Sequence, residues 1–130
     1  MKRINYVVAN WKMNGVGSFE KIFIAINKHL ISKKRKKPVV IVCPPFTLID
    51  RLASYKKSKM AIGAQDSHEE TSGAFTGCVS SEMIKDIGAD FVIIGHSERR
   101  QYFNEDTKLL SKKILAAHKA NLKVIFCIGE

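Results

Sequence analysis

Val39-Val40-Ile41-Val42-Cys43-Pro44-Pro45 is a strand followed by its own terminator. Four β-branched residues and a cysteine run without a polar interruption. A strand wetted on one face alternates apolar with polar side chains, whereas a strand covered on both faces has no polar side, as in a parallel sheet. Proline cannot donate to a ladder, so the pair at 44–45 closes the strand.

The same grammar repeats on either side. Residues 4 to 9 form a short apolar run, and Met60 to Ala64, Phe91 to Ile94 and Leu122 to Ile128 form three more. Between them lie stretches with helical spacing. Ser18 is read as an N-cap with Glu20 in the first turn, ahead of Phe19, Ile22, Phe23, Ile26 and Leu30 on one face. Phe46 to Tyr55 is expected to pack through Phe46, Ile49, Leu52 and Ala53. Ser80 caps a short helix with Met83, Ile84 and Ile87 inward and Gly88 at its end. Glu105 to Ala120 carries Leu109, Leu110, Ile114 and Ala117 on one face. Alternating strands and helices give an α/β fold with a parallel sheet.

The strands also end alike. Asn10-Trp11-Lys12, Pro44-Pro45, Gln65-Asp66-Ser67, Gly95-His96-Ser97-Glu98 and Gly129-Glu130 are small or polar clusters. In parallel α/β folds ligands bind at the carboxyl ends of the strands, so these clusters are expected to share one rim.

Composition narrows the remaining choices. At 130 residues, 45% hydrophobic and 26% charged, the chain has one domain's worth of ordinary globular sequence. No apolar stretch approaches the roughly 18 residues of a membrane span, and MKRINYVVAN turns polar too early for a secretory signal, so the expected compartment is the cytoplasm. Cys43, Cys78 and Cys127 are odd in number and lack CxxC spacing, which fits reduced thiols. His29, His68, His96 and His118 stand at no ligand spacing with them, so no metal is expected.

The net charge of +10 and the run Lys33-Lys34-Arg35-Lys36-Lys37 invite a nucleic-acid reading. Against it, the other basic residues are scattered, lysine outnumbers arginine, and no aromatic side chain interleaves the run to stack on bases. Residues 32 to 38 are read as a solvated connecting loop, and no nucleic-acid partner is expected.

Four segments together carry a family resemblance. ANWKMNG at 9 to 15, GAQDSHEETSGAFTG at 63 to 77, VIIGHSERRQYF at 92 to 103 and CIGE at 127 to 130 resemble triosephosphate isomerase, in that family's order and approximate spacing. The resemblance implies a (β/α)8 barrel of the TIM-barrel family, no cofactor, a homodimer, and interconversion of dihydroxyacetone phosphate with glyceraldehyde 3-phosphate in glycolysis and gluconeogenesis.

Such a reaction needs a base for the proton next to the carbonyl, hydrogen-bond donors for the developing enediolate, and a grip on phosphate. By resemblance Lys12 is the cation and His96 the electrophile. An isolated lysine just past a strand is ordinarily a solvated surface residue, but Asn10 beside it and the family match favour a functional one. His96 precedes a SERR segment able to start a helix, and a helix N-terminus disfavours protonation, so a neutral imidazole is expected. Asn10 is expected to bind substrate and orient Lys12. Glu98 resembles the carboxylate near the lysine, with equal weight on a surface glutamate in a helix's first turn paired with Arg99 or Arg100, and Ser97 resembles the serine that holds the family's catalytic glutamate before substrate binds. The loop from 65 to 79 resembles the one that enters the neighbouring subunit. It places Thr76 at the partner's site, with Met13 and Gln65 at the same interface. Ser67 stands where many relatives have cysteine, and Asp66 where asparagine is common.

A complete barrel takes about 250 residues and eight strands. The expectation is therefore a single, truncated domain, residues 1–130, holding about five parallel strands and four main helices of an incomplete barrel. On that reading the chain supplies Lys12 and His96 but not the glutamate base, which the family carries on a later strand. Activity would need a carboxyl-terminal half chain; otherwise the chain is a noncatalytic remnant.

Overall fold

The computed structural model describes residues 3–32, 38–55 and 58–129. Five strands form one parallel sheet in chain order: β1 (Tyr6–Asn10), β2 (Val39–Cys43), β3 (Met60–Ala64), β4 (Phe91–Ile94) and β5 (Lys123–Phe126). The helices are α1 (Glu20–Ser32), α2 (Phe46–Ala53), α3 (Ser81–Asp86), α4 (Ser97–Tyr102) and α5 (Thr107–Lys119). Strand order equal to sequence order is the winding of half a β/α barrel, where each helix returns the chain beside the strand it has just left. The basic run at 33–37 lies outside the described residues.

The uniformly apolar strands are covered where both neighbours exist. All four residues of β4 are buried, as are Ile41, Val42 and Cys43 of β2. Phe23, Ile49, Leu52, Ile84, Leu110 and Ala117 bring the helices onto the sheet in the principal core. A smaller cluster of Ile41, Cys43, Phe91 and Ile93 belongs to a second core.

Helix ends follow local chemistry. The Ser80 hydroxyl accepts from Met83 N at 3.2 Å and caps α3, and Gly88 follows with φ +95°. A side chain there would be strained as well as crowded by Ala53, whose Cβ lies 3.2 Å from where the added atom would sit.

Several sequence expectations shift. Ser18 is not a cap: Gly17–Phe19 forms a 3₁₀ turn first, and α1 starts at Glu20. The helix expected from Glu105 to Ala120 is shorter: α5 runs Thr107–Lys119, with Asp106 as its cap accepting from Leu109 N at 2.8 Å. Met83, expected inward, is 54% exposed, and Phe46, Ile22 and Ile26 are each at least a third exposed, since among the described residues nothing covers those parts of their helices. Ser67 is buried and accepts from the Ser81 hydroxyl at 3.0 Å, so a serine at this position is put to structural use. No helix among the described residues is long and apolar enough to cross a membrane.

Candidate active site

The chain leaves β1 through a tight backbone turn. The Asn10 side-chain oxygen accepts from Lys12 N at 2.9 Å, and Lys12 adopts φ +55°, a left-handed conformation uncommon outside glycine and asparagine. Asn14 donates to Trp11 O at 3.0 Å, and Trp11 N donates to Cys43 O at 3.0 Å, which continues the β1–β2 ladder one step past the strand. Gln65, just beyond β3, donates its amide to Lys12 O at 2.9 Å and Cys43 O at 2.8 Å. One side chain thus ties the ends of three neighbouring strands together. The Trp11 ring packs edge-on against Phe19 at 5.9 Å, a packing role.

Across the rim, β4 ends in Gly95, whose φ of +78° turns the chain into His96 and α4. The Glu98 backbone N–H donates to His96 Nδ1 at 3.2 Å. A neutral imidazole has one donor and one acceptor nitrogen, so this bond assigns Nδ1 as acceptor and leaves the ring proton on Nε2. The ring is 23% exposed.

Glu98 joins the two halves. Lys12 Nζ donates to Glu98 Oε1 at 2.6 Å, while Glu98 Oε2 stands 3.6 Å from His96 Nδ1. The hydrogen bond to Glu98 raises Lys12 above the ordinary lysine value. The same bond, against the opposing effect of desolvation, holds the Glu98 carboxyl below the usual range. A strand-end lysine is thereby brought to a histidine more than eighty residues away, with Asn10 bracing the turn beneath it. Beside His96 lies a recess of about 410 Å³ lined by His96, Ser97, Cys127, Ile128 and Gly129. Asn10, Lys12, His96, Ser97 and Glu98 therefore share one rim. Met13 and Thr76 are exposed, and Gln65 spends its amide inside its own chain.

A second polar cluster escapes the sequence reading. Lys113 Nζ, with its side chain 5% exposed, contacts Asp66 Oδ1 at 2.7 Å and Glu105 Oε1 at 2.5 Å. Arg99 meets Asp66 Oδ2 at 3.0 Å through Nη2, and Glu105 Oε1 at 2.8 Å through Nε. Two cations balance two carboxylates, the condition under which charges are tolerated inside. Desolvation works against the Glu105 charge, but hydrogen bonds from Lys113 and Arg99 outweigh it and hold the carboxyl low. For Asp66 desolvation prevails over the attraction of the same lysine, and its value rises. Periodicity carried a signal for Lys113: it falls between Leu110 and Ala117 on the inward face of α5.

Among the described residues no group of three or more His, Cys, Asp or Glu side chains is placed to hold a metal ion. The chemistry available at the rim is a fixed ammonium, an imidazole N–H donor and an amide, a set suited to polarising carbonyl oxygens and holding an anion.

Comparison with known proteins identifies the pattern. The sequence model of the family described as triosephosphate isomerase matches residues 5–130. A triosephosphate isomerase of Alkaliphilus oremlandii is 42% identical over 95% of this chain and 50% of the relative's length. One of Zygosaccharomyces bailii is 44% identical over 100% of this chain and 52% of its own. The crystal structure of triosephosphate isomerase from Bartonella henselae superposes with a TM-score of 0.90 at 34% identity, covering 97% of this chain and 52% of that one. The chain thus spans about half the length of the relatives it matches.

Proposed function

The chain belongs to the triosephosphate isomerase family, and on that premise we propose that it supplies the lysine and the electrophilic histidine of a site interconverting dihydroxyacetone phosphate and glyceraldehyde 3-phosphate in the cytoplasm. Moving a carbonyl to the neighbouring carbon passes through an enediolate, whose negative charge must be met by donors already in place. His96 Nε2–H is that donor, and Lys12 is the cation for the phosphate and the developing oxyanion. Asn10 binds alongside them and braces the Lys12 backbone.

The observation that carries this reading is the double use of Glu98. Its backbone N–H occupies His96 Nδ1 and its carboxylate holds Lys12 at 2.6 Å. The same geometry argues against Glu98 as the proton acceptor, because its carboxyl is held below the usual range and its oxygen is engaged. The base is assigned to the part of the fold that corresponds to the rest of the relatives' length. β1 and β5 each pair on one side only among the described residues, and Tyr6, Val7, Val8 and Phe126 remain exposed there, as an incomplete barrel requires. Residues 1–130 are then the amino-terminal portion of one TIM-barrel domain. The assembled enzyme is proposed as a homodimer needing no cofactor or metal, with the exposed Thr76 and Met13 at its interface and Gln65 supporting that edge from within.

The test is complementation. The chain is mixed with a polypeptide covering the carboxyl-terminal half of the Alkaliphilus oremlandii enzyme, and isomerisation of glyceraldehyde 3-phosphate is followed. Activity is expected, and His96→Gln is expected to lower it by about 10² to 10⁴. A stable complex with no turnover would overturn the proposal and leave a noncatalytic member of the family.

A further inference from the structure

The helix that presents His96 and Glu98 is anchored in an unusual way. Six-residue α4 buries none of its residues, and Tyr102 is 67% exposed. A helix this short does not hold its shape alone, and no apolar face holds it to the core. Its attachment is polar, through two adjacent arginines.

Arg99 reaches to one side. It contacts Asp66, just past β3, at 3.0 Å and Glu105, just before α5, at 2.8 Å, and its guanidinium lies 4.5 Å from the centre of the Phe103 ring. Both acids are themselves held by buried Lys113. Arg100 reaches in a different direction. Its Nε donates to Gly95 O at 2.8 Å and its Nη2 to Cys127 O at 2.8 Å, which joins the ends of β4 and β5. Neighbouring helical residues point about 100° apart, so two such anchors fix both the rotation and the tilt of the helix. One of them grips the carbonyl immediately before His96.

We propose that Arg99 and Arg100 are positioning residues for the site: they hold α4 in two different directions, so that Glu98 N–H meets His96 Nδ1 and the Glu98 carboxylate meets Lys12. Each arginine uses two separate nitrogens on two separate acceptors. Lysine carries a single nitrogen on a flexible stem and cannot reproduce that fork, so Arg→Lys is not conservative at either position. The purpose of the positioning rests on the proposed isomerase reading, but the positioning itself can be read without turnover.

The experiment is nitrogen-15 NMR and amide hydrogen exchange on the full chain, with Arg99→Lys and Arg100→Lys compared with the parent and with Arg51→Lys on α2. The His96 ring signals are assigned by their loss in His96→Gln. In the parent and in Arg51→Lys, the ring is expected as the single tautomer with Nε2 protonated. Either α4 variant is expected to mix tautomers. It should also speed exchange at Glu98 N–H by roughly ten- to a hundredfold, the local opening that losing one charge-assisted hydrogen bond permits. Val92 and Leu110 should keep their protection. Parent-like ring signals and parent-like Glu98 exchange in both variants would overturn the proposal. So would loss of protection at Val92 and Leu110 as large as at Glu98, since the arginines would then be holding the whole fold rather than the site. Failure of complementation with the ring result intact would instead count against the isomerase reading alone.

Discussion

β4 and β1 are both short and rich in apolar side chains, yet every residue of Phe91–Ile94 is buried while Tyr6, Val7 and Val8 are 49%, 52% and 40% exposed. β4 has a strand on each side and helices over it; among the described residues β1 has β2 alone. Burial in a parallel sheet is thus a property of position in the winding and not of the strand's own composition. The candidate site spans both regimes, since Lys12 follows the exposed edge strand and His96 follows the buried one. The Glu98 carboxylate is the bond between them.

Thiol chemistry gives the largest contrast between covered and open ground. Burial at the end of β2 pushes the Cys43 thiol from 9.0 up to about 12, so at neutral pH its thiolate fraction falls about a thousandfold below that of an ordinary cysteine. Cys78 is exposed. Iodoacetamide labelling followed by mass spectrometry should modify Cys78 readily and leave Cys43 untouched until the chain unfolds; equal labelling in the folded protein would break the contrast.

Next come the substitutions read by urea unfolding. Lys113→Met removes the cation that Asp66 and Glu105 share, and should cost about 3–5 kcal/mol, the usual penalty for leaving buried charge uncompensated. Ile94→Ala in β4 should cost about 2–5 kcal/mol through lost burial and the cavity left behind. A pH series sharpens the same region. Glu105 has a depressed value in the folded state, so its contribution is complete above the ordinary value of 4.5 and disappears as pH falls through the folded one. Glu105→Gln should therefore lose less stability than the parent between pH 6 and the acid side of 4.5. Asp66, whose raised value acts with the opposite sign, is raised first by desolvation and in part by the Glu105 charge, so the substitution eases that shift too and narrows the difference between the two proteins. The smallest effect belongs to the edge: Val7→Ala in β1 should stay within about 0.5 kcal/mol in the isolated chain. A cost for Val7→Ala as large as that for Ile94→Ala would mean that the edge is covered in solution.

Much of the fold was legible because the deciding signals are local. Val39–Cys43, Met60–Ala64 and Phe91–Ile94 stand out as unbroken apolar runs, and they are the observed strands. Ser80 and Gly88 bracket α3 through bonds and dihedrals a few residues long. Where a nonlocal force competes, local reading slips. Ser18 has the chemistry of a cap, but a 3₁₀ turn comes first. Met83 has the helical spacing of a core residue yet is more than half exposed. Lys12, Asn10, His96, Ser97 and Glu98 were singled out by family resemblance, and the fold brings them to one rim. Asp66, Arg99, Glu105 and Lys113 could not be assembled, since an ion pair across forty-seven residues leaves no local spacing to recognise.

The amino-acid sequence by itself determined the alternation of strands and helices, the uniform apolarity that demands a parallel sheet, and the polar residues waiting at each strand's end. These follow from backbone preference and hydrophobic patterning, which act over a few residues. Tertiary structure alone decided which strands are covered, which carboxylate meets Lys12, and which nitrogen of His96 carries the proton. Those outcomes depend on groups distant in the chain arriving within hydrogen-bonding distance, and only the folded winding of the sheet brings them there.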